Sequence, residues 1–285
     1  MRTVSFLLSS AAAAVVATTA FGAFAQTAPA FNWTGPYVGV NAGDDFDGAT
    51  RFDRTTGALP NNTSALALNL RPVSHAVHTG GFIGGVQAGY NYQLGDRFGL
   101  AGGGLVMGAE ADAQYMDIHR TDTLSNTTLY GPLDTLGATP TTRINQYQGD
   151  LDFLGTVRGR LGVAFGQTLI YGTGGYAYGD VQRRATYYGP NAPTTPYFTG
   201  ESNGMRSGFA YGGGVEIAVP TGSFLDRFNV FHASGVTIKA EYLHYDLGAD
   251  TVNVPGVNGG ANIGGYTSRV RTDGDLVRAG VNYKF

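Results

Sequence analysis

The 285-residue chain contains no cysteine, one tryptophan and four methionines, and only 14% of its residues are charged. Without cysteine there is no disulfide framework and no thiolate metal site. The formal net charge of -3 gives no basic footprint for nucleic acid. After residue 25 no window offers the ~18 or more consecutive apolar residues that a membrane-crossing helix requires. Glycine, by contrast, is abundant. Its 45 copies are about twice the usual share, and tyrosine and phenylalanine add 17 and 16. Gly-rich, aromatic-rich and charge-poor composition suits many short strands and turns rather than helices.

The last eleven residues set the pattern. In Asp275–Phe285, Val277, Ala279, Val281, Tyr283 and Phe285 alternate with Arg278, Gly280, Asn282 and Lys284. Neighbouring side chains of a strand point to opposite faces, so this stretch has one apolar and one polar face. A strand between lipid and a polar interior fits, with Tyr283 and Phe285 at an interfacial girdle. The stretch resembles the closing strand of bacterial outer-membrane β-barrels, and the resemblance implies that Tyr283 and Phe285 form the signal read by the barrel-assembly machinery.

Residues 1–25 carry the marks of a signal peptide: Arg2, an apolar Ala-rich stretch, and Ala23-Phe24-Ala25 as cleavage site. The mature chain, 26–285, is then exported. An exported membrane protein without a spanning helix must be a closed barrel.

Near the start of the mature chain stands W-T-G-P-Y-V-G-V-N-A-G, Trp33 to Gly43. This is similar to the opening strand of the alphaproteobacterial outer-membrane β-barrel family, whose members are labelled porin-family or outer membrane immunogenic proteins. Pro36 departs from the aromatic common there. The likeness extends through Gly80–Gln93 and the final strand. It implies a small, OmpA-like barrel in the cell outer membrane, in contact with outer-membrane lipid and lipopolysaccharide.

Alternation and turn residues give eight strands, an all-β, eight-stranded antiparallel up-and-down transmembrane β-barrel. The segments are 31–43, 80–93, 98–118, 151–165, 168–183, 207–219, 236–247 and 275–285. Their connections run long, short, long, short, long, medium, long, which places four long loops on the outside and both termini on the periplasmic side. The facing of 168–183 is ambiguous, and a bulge at Gly174–Gly175 would reset it.

The phase set by the apolar residues turns Glu110, Asp112, Asp152, Arg158, Arg160, Glu216, Lys239, Glu241, Arg278 and Lys284 inward, five of each sign. On a lipid face each Arg or Lys costs about 2–4 kcal/mol at the midplane. Inside a barrel just wide enough for its own side chains, they can pair and fill the lumen. The expected role is structural and surface-exposed, without enzymatic activity or cofactor. No sequence follows Phe285 for a cell-wall domain. The alternatives are a narrow charge-lined porin for small solutes and loop-mediated surface binding. The latter would rest on Tyr187, Tyr188, Tyr197 and Phe198 in the third loop; by the resemblance, heme binding or adhesion would fit some relatives. Weaker motifs are Gly200–Gly204 (G-x-S-x-G without its strand–turn–helix setting), the Gly172-Thr173-Gly174 run, the pair His75 and His78, and the rim histidines His119 and His244. A monomer or weak oligomer is expected.

Overall fold

A computed structural model describes residues 31–94, 103–130, 139–189, 192–220, 233–257 and 264–285. The expected signal segment 1–25, the turn around Gly95–Arg97 and most of the connection 220–235 lie outside these residues. Eight strands close one antiparallel ring, each paired with its sequence neighbours and the last with the first. They are β1 (Gly35–Gly57), β2 (His75–Gln93), β3 (Gly103–Tyr130), β4 (Thr139–Phe165), β5 (Thr168–Gly189), β6 (Ala192–Ala218), β7 (Gly235–Pro255) and β8 (Gly265–Lys284). One helix, α1 (Pro60–Ala67), lies between β1 and β2.

The lipid-facing belt is written in the alternation. Val38, Val40, Val86, Val157, Leu161, Ile170, Val215, Ile238 and Val277 are exposed on the outer face. Tyr92, Phe165 and Phe285 bound this belt towards the termini, and Phe82, Tyr115, Tyr176, Phe209 and Tyr242 bound it towards the long connections. Such girdles place aromatic rings at the two membrane interfaces.

The strands are 19 to 28 residues long, whereas ~9–11 suffice to cross a bilayer. Most of what reads as long loop is therefore strand. The stretches 44–57, 119–130, 139–150, 184–189, 192–206 and 248–255 continue the wall above the belt. Beyond the lipid the outer face is polar and the inner face mixes apolar residues such as Phe52 and Val77 with polar ones such as Thr50 and Arg183, so the alternation that marks a strand in the sequence weakens. The expected bulge at Gly174–Gly175 is absent, since β5 keeps unbroken register with both neighbours there. The register shift lies across the ladder, in β4 between Leu151 and Phe153. With that phase, Tyr171, Thr173 and Ala177 point inward, whereas Ile170 and Tyr176 point out.

The ring of hydrogen bonds is complete only at belt height. The β2–β3 ladder stops at Ile83 and Met116, although both strands run on. The β6–β7 ladder stops at Phe209 and Asp246 and returns only as the bridge of Phe198 with Gly256. Above the belt the wall is thus two four-stranded sheets, β3–β4–β5–β6 and β7–β8–β1–β2. Side chains span the two seams. Arg120 Nη2 donates to the Gly80 carbonyl at 3.0 Å and His75 Nε2 meets Asp122 Oδ2 at 3.1 Å; across the other seam Arg206 pairs with Asp250.

Candidate functional site: the filled lumen

Inside the belt the inward phase brings eight charges together. Glu110 and Asp112 come from β3, Arg158 and Arg160 from β4, Glu216 from β6, Lys239 and Glu241 from β7, and Arg278 from β8. Arg158 Nη2 donates to Glu110 at 2.7 Å and to Asp112 at 2.8 Å. Lys239 Nζ reaches both Glu110 oxygens at 2.9 and 3.0 Å. Arg278 binds Asp112 at 2.9 Å and grips Glu241, with its Nε 2.7 Å away. Arg160 Nη2 meets Glu216 at 2.7 Å. The side chains in these ion pairs are 0–3% exposed. Four cations face four carboxylates, so the cluster is neutral, the condition for charges to remain buried.

Two tyrosines complete it. Tyr37 OH donates to Glu110 at 2.7 Å and accepts from Arg160 Nη1 at 2.8 Å. Tyr171 OH donates to Glu241 at 2.9 Å, and its ring lies 3.9 Å beneath the Arg160 guanidinium. Neither tyrosine is among the lumen residues expected from the sequence, although Tyr37 belongs to the opening-strand motif. Tyr37 shares the phase of Asn41 and Gly43, which was a usable signal; Tyr171 sits on the strand whose phase was ambiguous. Glycine makes room: a Cβ at Gly43 would overlap Val277 O and the Arg278 backbone.

Two expected members of the cluster lie elsewhere. The register shift beside Leu151 carries Asp152 to the outer rim, where it accepts from Gln182 at 3.1 Å and lies 3.6 Å from His119. Lys284 stands at the periplasmic end of β8, its Nζ 5.7 Å from the Phe31 ring centre.

Apolar layers stack on either side. Trp33, Val106, Ala164, Leu169 and Tyr171 close the periplasmic end. Above the ion pairs lie Ile83, Met116, Leu154, Ala177, Leu243 and Leu276. Higher still, Arg183 is buried and, among the described residues, donates only to the Thr272 hydroxyl, at 2.9 and 3.0 Å, and burial pulls its pKa down to about 10. The outer mouth is filled by Phe52, Val77, Tyr147, Tyr187, Phe198, Val254 and Tyr266.

The third-loop aromatics thus correct the sequence reading. Tyr187 and Phe198 are not offered on a loop; they are buried between β5 and β6 and the facing sheet. Tyr188 bonds Gln146 through its hydroxyl at 3.3 Å, and Tyr197 is half-buried against the same cluster. Between these rings sits Arg71, which arrives from the connection between β1 and β2. Helix α1 begins with Pro60 in its first turn and Asn62 reaching back to the Leu59 amide at 3.1 Å. It ends at Asn69, in the left-handed region at φ 53°, with Leu70 N–H donating to Ala65 O and Asn69 N–H to Leu66 O. This double bond pattern turns the chain sharply off the helix, and it drives Leu70 and Arg71 into the mouth. Arg71 donates to Asn145 Oδ1 at 2.7 Å, Tyr266 OH at 3.0 Å and Tyr188 O at 3.1 Å. The rings of Tyr187, Tyr266 and Phe198 surround it at 4.6–5.4 Å.

The remaining motifs gather nothing. His75 and His78 do not share a site: His75 is held by Asp122, 4.9 Å from the Tyr147 ring. His244 Nδ1 is 2.9 Å from Asp275 on the outer face. Gly200–Gly204 is mid-strand in β6. Among the described residues no metal-ligand group forms.

A closed eight-stranded ring with an apolar outer belt, aromatic girdles and a charged interior is a transmembrane β-barrel of the bacterial outer-membrane type. A sequence profile for the outer membrane protein beta-barrel domain matches residues 11–285, and the chain belongs to that family and to the outer membrane. It is 30% identical to the 31 kDa outer-membrane immunogenic protein of Brucella melitensis biotype 1 over 281 residues, 98% of this chain and 95% of the relative; the Brucella suis biovar 1 protein matches equally. Among solved structures it is similar to the outer membrane protein OprG from Pseudomonas aeruginosa (TM-score 0.47, 9% identity, 89% of this chain and 97% of that one) and to Neisserial surface protein A (TM-score 0.29, 14% identity, 88% and 98%).

Proposed function

We propose that the protein is a structural, non-enzymatic component of the outer membrane. Its lumen is sealed by ion pairs, and its role is envelope integrity and display of a rigid surface. The observation that carries this reading is the neutral cluster around Glu110 and Arg158, whose side chains are both 0% exposed. A conducting pore needs mobile water past such charges; here apolar layers lie below and above them. The relatives' description as immunogenic fits a protein whose long strands stand above the lipid. Lipid and lipopolysaccharide are its surroundings. The half-exposed Phe285, its amide donating to the Pro36 carbonyl at 3.0 Å, is the element offered to the assembly machinery.

Planar-bilayer recording of the refolded chain tests the seal, with Arg158→Ala and Glu110→Ala alongside. A silent wild type with more frequent openings in the variants is expected. Steady wild-type conductance, with ion selectivity altered in the variants, would replace this reading by a narrow porin.

A further inference from the structure

The charge balance of the lumen does not extend to the outer mouth. Arg71 is 1% exposed, and its partners are an amide oxygen, a phenol and a backbone carbonyl. A second cation, Arg143, stands beside it. Arg143 and Asn145 share one face of β4, two residues apart, and Asn145 Oδ1 is what Arg71 Nη1 binds. Asn126, opposite Arg143 in the β3–β4 register, accepts from Asn145 Nδ2 at 3.3 Å. The Arg143 Nε is buried and without a hydrogen-bond partner, while the residue as a whole is half-exposed. Among the described residues no carboxylate forms an ion pair with either arginine. Burial and the neighbouring Arg71 charge both push the Arg143 pKa down. At belt height carboxylates meet the cations; here two arginines stand near one another without one, and the inner Nε of the half-buried Arg143 has no partner.

We propose that Arg143, backed by Arg71, is a binding site for an oxyanion, a phosphate or sulfate group presented from the external medium. A planar guanidinium offers two parallel N–H donors to such a group. Arg71, held rigidly by its three hydrogen bonds, supplies field without having to move. The site lies above the belt, at the outer mouth. It goes beyond the sealed-lumen reading, because it concerns the mouth and stands whether or not the barrel conducts.

The test uses the full chain refolded in lipopolysaccharide-free detergent, titrated with inorganic phosphate and with sulfate and followed by isothermal calorimetry. Sodium chloride at equal ionic strength is the control. Arg143→Gln removes the charge and fork at a half-exposed position, and Arg143→Lys keeps the charge alone. Saturable binding in the wild type is expected, about tenfold or more weaker in Arg143→Gln and intermediate in Arg143→Lys. The folded, heat-modifiable band on electrophoresis establishes that each variant has its barrel. Adding vesicles that contain lipopolysaccharide separates the sources: competition with inorganic phosphate identifies sugar-linked phosphate as a natural occupant, and its absence leaves the soluble ion as the occupant. Equal binding by the wild type and Arg143→Gln, or a heat indistinguishable from that of chloride, overturns the proposal.

Discussion

Two buried arginines show how context decides what a charge does. Arg278 at belt height has three carboxylates around it, Glu110, Asp112 and Glu241. Arg183 above the belt has one hydroxyl partner and lies near a second cation, Arg206. Removing one member of a paired cluster leaves the others uncompensated, at a cost of about 3–5 kcal/mol. Glu110→Gln therefore lowers the urea midpoint, read from the fluorescence of Trp33, the single tryptophan. Arg183→Met has the opposite sign. A base whose folded pKa lies below its usual value is held against burial while charged, so its penalty is in force at neutral pH and relaxes only above about pH 10. An unbranched apolar side chain of similar length removes that penalty and raises the midpoint. If Arg183→Met destabilises as Glu110→Gln does, the Thr272 contact is worth more than the geometry implies. The sequence could place Arg278 among carboxylates, since strict alternation runs through 277–285. It could not place Asp152, because one extra residue in β4 moves it to the outer face, and nothing in the local residue types announces that shift.

At the scale of the element, the strands divide into a part that lipid dictates and a part that it does not. Val157-Arg158-Gly159-Arg160-Leu161 reads as a strand without help, because one face must be apolar and the other cannot be. Thr121-Asp122-Thr123-Leu124-Ser125-Asn126-Thr127-Thr128 is equally a strand, fully in register with β4, yet its composition is that of a loop. The same polar composition hid the hairpin of β5 and β6, and with it the burial of Tyr187 and Phe198. Above Met116 the β2-facing edge of β3 has no ladder, which sets up an exchange experiment. In an antiparallel strand successive amides point to opposite neighbours. Amide hydrogen exchange between 118 and 128 should alternate, slow where the N–H faces β4 and fast where it faces the seam. Uniform protection would mean that β2 and β3 are paired in solution along their whole length. The turn at Gly166 gives a simpler check. Its φ of 59° suits glycine, and no atom lies within 4 Å of an added Cβ, so Gly166→Ala should cost only the backbone term, about 1 kcal/mol.

For the molecule as a whole, the proposed seal is redundant: an apolar floor, a neutral ionic layer, an apolar layer and a packed mouth follow one another, with α1 beside the mouth. Replacing residues 58–72 by a short Gly-Ser link removes α1 and Arg71 together. The barrel should still refold and remain silent in a planar bilayer, because the layers at belt height are untouched; steady current would show that this segment, and not the ionic layer, is the seal. The two seams bear on how such a surface can change over time. Because the hydrogen-bonded ring is complete only where there is lipid, the two four-stranded sheets above it are joined to one another by side chains rather than by a continuous ladder. Residues there can be exchanged, lengthened or trimmed within one sheet while the other sheet and the part that must insert keep their sequence. The exterior is, in that sense, two separately replaceable parts carried on a fixed frame.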